Sequence, residues 1–76
     1  MSPKLPVISG EEFVKAAGKI GYVAVRQKGS HVRLRHPSDP QRKPLSVPQH
    51  KTLKRGLLKD LLRDANLSVE KLIELL

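Results

Sequence analysis

The sequence predicts an α+β domain: a three-stranded antiparallel sheet with helices packed on one face, in the order α-β-β-β-α, followed by a short C-terminal helix. Three observations carry that expectation. The apolar period is helical up to Ile20, falls to two between Tyr22 and Val47, and becomes helical again from Leu53 onward. Gly and Pro punctuate the changes of period. At 76 residues the chain has room for one core and no more.

Residues 1–8 read as an extended lead-in, because Pro3 and Pro6 disfavour helix. A single domain is expected over residues 9–76. Ser9-Gly10-Glu11-Glu12 has the spacing of a capping box, with Ser at the N-cap and Glu three positions on. Phe13, Ala16, Ala17 and Ile20 then recur at helical intervals, so the first helix is expected over 10–19, closed by Gly18 and Gly21. Tyr22 to Gln27 and His31 to His36 both alternate, and Lys28-Gly29-Ser30 lies between them, which predicts a hairpin. Residues 37–44 contain three prolines and read as a loop. Leu45-Ser46-Val47 is a short third strand. Leu53, Leu57, Leu58, Leu61, Leu62 and Ala65 form one apolar stripe of a long helix, which Asn66 can end in a left-handed conformation. Ser68 caps a last helical segment containing Val69, Leu72, Ile73 and Leu76.

Composition narrows the class of function. Hydrophobic residues make up 38% of the chain, enough with the five glycines for a folded domain. There is no Cys, so neither a disulfide nor a thiolate metal site supplements the core. No apolar run approaches a membrane span, and Met1-Ser2-Pro3-Lys4 lacks the apolar stretch of a secretory signal, so a cytoplasmic location is expected. The net charge is +8, and it is unevenly placed. Residues 26–63 hold eleven Lys and Arg against Asp39 and Asp60, a net +9, together with all three His. A concentrated basic segment is the footprint of a polyanionic partner.

Strand alternation selects the candidate site. Val32 and Leu34 share one face, which must meet the helices, leaving His31, Arg33 and Arg35 on the open face. Arg26, at the end of the preceding strand, and Lys28, in the turn, lie nearby. An exposed imidazole among cations is a poor stability device. It suits phosphodiester chemistry, in which Arg and Lys hold the phosphate and the imidazole moves a proton. His36 falls on the opposite face and is structural or solvated. His50, after Pro48, either approaches the sheet or sits in water. Gly29 supplies a positive φ in the turn, or lets backbone N–H groups approach a phosphate.

Gly21-Tyr22, Arg26-Gln27-Lys28-Gly29-Ser30-His31, Val47-Pro48-Gln49-His50, Leu53 to Leu58 and Ala65-Asn66-Leu67-Ser68 together resemble the HicA (YcfA-like) family of toxin mRNA interferases, over residues 9 to 76. Val32 and Arg33 stand where that family often has a second His or an aromatic, and Asn66 stands at a common Gly position. The resemblance implies a double-stranded-RNA-binding-domain-like fold, an endoribonuclease that cleaves mRNA and arrests growth, and a HicB antitoxin as partner. It makes His31 the functional residue, as the strand geometry does independently.

With no Cys, and with four of the seven carboxylates on terminal helical segments, a metal-centred nuclease is not expected, and no cofactor is. The expected route uses the RNA 2′-hydroxyl as nucleophile. His31 is the acid or base, His50 the candidate second proton carrier, and Arg33, Arg35 or Lys28 steadies the charge on phosphorus. Arg26, Lys28, Arg33, Arg35, Lys51 and Lys54 are the RNA-binding candidates, and Gly29 and Ser30 shape the turn. Two other readings use the same charge: a non-catalytic module for structured RNA, and a DNA-binding helix over 53–65 with Lys54, Arg55, Lys59 and Arg63 on its polar face.

Overall fold

A computed structural model describes residues 4–76; the first three residues of the expected lead-in lie outside the described residues. The elements run α1 (Gly10–Lys19), β1 (Val23–Lys28), β2 (His31–Arg35), β3 (Leu45–Pro48), α2 (Arg55–Asp64) and α3 (Val69–Leu75). Both strand pairs are antiparallel, and the sheet order is β1-β2-β3. This is the α+β, double-stranded-RNA-binding-domain-like arrangement expected from the sequence.

Local chemistry accounts for the ends of the helices. Ser9 Oγ accepts from the Glu12 amide at 3.1 Å while Glu12 Oε1 accepts from the Ser9 amide at 3.0 Å, closing the capping box of α1. Both longer helices finish in the same six-to-one closure, with the Tyr22 amide bonded to Ala17 O and the Leu67 amide to Leu62 O. Each closure passes through a left-handed residue, Gly21 (φ 106°) in one and Asn66 (φ 53°) in the other. Gly21 is required for a second reason: a Cβ there would meet His36 Nε2 at 2.6 Å. The α2 stripe is shorter than its leucines suggested. Leu53 is buried but precedes the helix, and Leu57 is only half-buried.

One cluster of buried residues runs through the fold. Val32, Leu34, Leu45 and Val47 supply the inner sheet face, Phe13, Ala16 and Ala17 come from α1, and Leu58, Leu61 and Leu62 from α2. β2 shows the anticipated alternation, with Val32 and Leu34 buried and His31, Arg33 and Arg35 exposed. β1 departs from simple alternation. Ala24 pairs with Leu34 and Arg26 with Arg33, so Val25 is a surplus residue in a β-bulge. The bulge matters for charge. Unbroken alternation from Val23 would turn Arg26 and Lys28 toward the core; the extra residue sets them opposite Arg33 and His31.

Candidate active site

The hairpin turn is tighter than the three residues expected. Lys28 is the last residue of β1 and pairs with His31, so only Gly29 and Ser30 turn the chain. Gly29 has φ 60° and Ser30 keeps a negative φ, the pattern of a type II′ connection with Gly first. A Cβ on Gly29 would meet nothing within 4 Å, so this glycine answers a backbone requirement and not a steric one.

Around this turn a groove of about 390 Å³ is lined by Arg26, Lys28, His31, Arg33 and Ser46. Each comes from an outward strand position: Lys28 is opposite His31, Arg26 is opposite Arg33, and Ser46 is opposite Arg33 on the other side. Among the described residues none of these cations is ion-paired; the ion pairs lie elsewhere, on Lys15, Arg42, Arg63 and Lys71. Their field therefore stays available to an anion.

The His50 ring comes to 6.5 Å from the His31 ring, centroid to centroid, at 70° between planes. Of the two placements the sequence left open, His50 takes the one beside the sheet. Backbone contacts hold it there from two sides. The Gln49 amide donates to Ser30 O at 2.6 Å, fastening the end of β3 to the hairpin turn. The Gly10 amide donates to His50 O at 3.0 Å, and a Cβ on Gly10 would fall 1.9 Å from Pro48 O. Only glycine lets the start of α1 approach the 48–50 segment this closely.

The remaining candidates divide. Arg35 shares the open face but lies at its far end, opposite Val23, in a separate shallow cavity with Val23, Val25 and Pro37. Lys51 is exposed in the loop after β3. Lys54, the N-cap position of α2, faces a cleft formed with Leu5, Pro6 and Val7 rather than the groove. His36 is structural. Its Nδ1 accepts from the Asp39 amide at 3.0 Å, which leaves Nε2 to carry the proton donated to Ile20 O at 2.8 Å, and its ring stands edge-on to Tyr22. Tyr22 in turn donates to Lys43 O at 2.8 Å, and burial pushes its phenol pKa up.

Ser46 and Gly10 were missed as site residues. Ser46 had a signal, since it lies between inward Leu45 and Val47 and must point outward. Gly10 had none, because its close approach joins segments distant in sequence. A larger cavity of about 570 Å³ opens between α2 and α3, but its arginines Arg42 and Arg63 are ion-paired to Asp39, Asp60 and Asp64, and no imidazole lines it.

Among the described residues no helix is long and apolar enough to cross a membrane. The family model described as "HicA toxin of bacterial toxin-antitoxin" matches residues 10–67. No curated protein matches the chain in a direct sequence comparison.

Proposed function

The chain belongs to the HicA toxin family, toxins of bacterial toxin-antitoxin systems, and from that premise we propose that it is a metal-independent endoribonuclease that cleaves mRNA, stops translation and growth, and is neutralised by a HicB-type antitoxin. One observation carries the enzymatic part: an exposed His31 on the open sheet face, with Arg26, Lys28 and Arg33 lining the same groove and a second imidazole 6.5 Å away.

The chemistry follows from that set. The RNA 2′-oxygen bonds to the adjacent phosphorus as the bond to the 5′-oxygen breaks, leaving a 2′,3′-cyclic phosphate and a 5′-hydroxyl. One imidazole takes the 2′-hydroxyl proton and the other supplies a proton to the departing oxygen, each a step worth roughly 10²–10⁴-fold. The His31 and His50 rings, 6.5 Å apart, are close enough to flank one phosphate. Arg33, Arg26 and Lys28 offset the negative charge that grows on the phosphoryl oxygens. Ser46 offers a hydroxyl on the same groove wall.

The test is cleavage of an RNA oligonucleotide by the purified protein in EDTA. Cleavage with a cyclic-phosphate product is the expected result. Activity that vanishes with chelator and returns with a divalent cation overturns the scheme, and RNA binding without cleavage by fully folded protein makes this a binding module. Rescue of growth by a coexpressed antitoxin tests the partner.

A further inference from the structure

We propose that Val23, Val25, Arg35 and Pro37 form a nucleobase subsite, so that the RNA taken at the His31 groove is single-stranded and runs along β2. This rests on the nuclease reading above and adds its substrate conformation and a second binding site.

These four residues line a cavity of about 300 Å³ on the same sheet face as the groove. Val23 is 50% exposed and Val25 56% exposed, although the fold has inner-face positions for β-branched residues. They are exposed by construction: Val23 pairs with Arg35 on the outer face, and Val25 is the surplus residue of the bulge. Two adjacent exposed valines and a proline beside a guanidinium are an apolar patch with one polar anchor. Such a site suits a base, whose flat face packs on the aliphatic groups while Arg35 stacks on it or donates to its edge.

Spacing identifies the occupant. Outward residues of β2 recur every two positions, about 6.7 Å apart, placing Arg35 roughly 13 Å from His31 with Arg33 between them. That step is close to the phosphate repeat of an extended single strand. A strand with one phosphate at His31 thus meets a cation at each following step and reaches the valines two nucleotides away. Duplex RNA is recognised across two successive minor grooves and needs a far longer contact surface. Lys51 and Lys54, the other cations proposed for RNA, line neither cavity, so the cationic track follows the single line of β2.

The experiment uses an RNA oligonucleotide whose cleavage site has been mapped with the active protein. Affinity for it, and for copies carrying one abasic nucleotide at each position in turn, is measured with the His31→Ala protein. The expected result is a roughly tenfold loss at one position, two nucleotides from the cut, with little loss elsewhere. Adding Val23→Ser and Val25→Ser should erase that loss without changing the salt dependence. A flat abasic profile on an oligonucleotide that the wild-type protein does cleave overturns the subsite alone. So does equal or tighter binding of the matching duplex. Valine variants that keep the abasic profile but lose the antitoxin assign the patch to that protein, and also overturn it. Failure of the wild-type protein to cleave RNA removes the nuclease reading itself. Both valines are exposed, so melting temperature serves as the control for folding.

Discussion

Arg33 and Arg42 are residues of one kind, a short stretch apart in the chain, in opposite surroundings. Arg33 is exposed on the open sheet face with no carboxylate paired to it among the described residues, whereas Arg42 is half-buried, bonded to Asp39 at 3.3 Å and to the Ala65 carbonyl at 3.2 Å. The contrast extends to their neighbours. Arg26 and Lys28 accompany Arg33 without counter-ions, while Arg63 is shared between Asp60 and Asp64. A net charge counted along residues 26–63 therefore mixes two populations. One end of the molecule uses arginine as a crosslink, closing the 37–44 loop onto the end of α2. The other leaves it uncompensated where a phosphate can enter.

The sharpest way to break this division is His31→Ala. Cleavage should fall by roughly 10²–10⁴-fold in single-turnover assays, while the melting temperature holds, since His31 is exposed and stands on the outer face of β2. A comparable loss of stability would move His31 to the structural population. Next comes the arginine pair itself. Arg33→Ala should lower kcat/KM by about 10- to 100-fold, in line with a lost charge-assisted hydrogen bond of roughly 1.5–3 kcal/mol, with unfolding in urea unchanged. Arg42→Ala should do the reverse, destabilising the fold by about 1–2 kcal/mol and leaving cleavage intact. If both variants lose both properties, the two populations are one.

Gly10→Ala asks whether the open face depends on the packing beneath it. The added methyl must displace the Pro48 carbonyl, so a loss of about 1–3 kcal/mol is expected. Cleavage should also fall, because the 48–50 segment would carry His50 away from His31; unchanged cleavage at reduced stability would make Gly10 purely structural. Smallest of all, Tyr22→Phe removes the bond to Lys43 O and should cost about 0.5–1.5 kcal/mol near neutrality. Burial, reinforced by Asp64 and Asp39 against the opposing Arg42, raises the folded-state pKa of Tyr22. The unfolded phenol ionises first, near pH ~10. Wild-type stability is thus full below that pH and declines as pH rises through the folded-state value. The phenylalanine variant should lack this alkaline decline, which urea titrations at successive pH values would show.

Much of this arrangement was legible in the residues because it is local. The Ser9–Glu12 cap, the alternation of β2 and the left-handed Asn66 each depend on neighbours within a few positions. His31, Arg33 and Arg35 were placed on one face by alternation alone. What escaped depends on pairings between distant segments. Whether β1 alternates or bulges is decided by which residue faces Arg33, and nothing within Val23–Lys28 records that choice. The same holds for Arg42, whose partner is the carbonyl ending another element, and for Gly10, whose missing side chain makes room for Pro48. Three of the six cations proposed for RNA gather at His31. Arg35 lies farther along the face, and Lys51 and Lys54 lie off it, because a loop's direction is not written in its charge.

The bulge at Val25 makes β1 two registers spliced at a single residue. On one side of the splice lie Arg26 and Lys28, in step with Arg33 and His31; on the other lie Val23 and Ala24, in step with Arg35 and Leu34. Deleting Val25 therefore shifts no other residue from one face to the other. It closes the strand into ordinary alternation and takes away half of the valine patch. The cationic row and the apolar patch are separable parts, and a one-codon deletion can halve the valines of one without re-aiming the other.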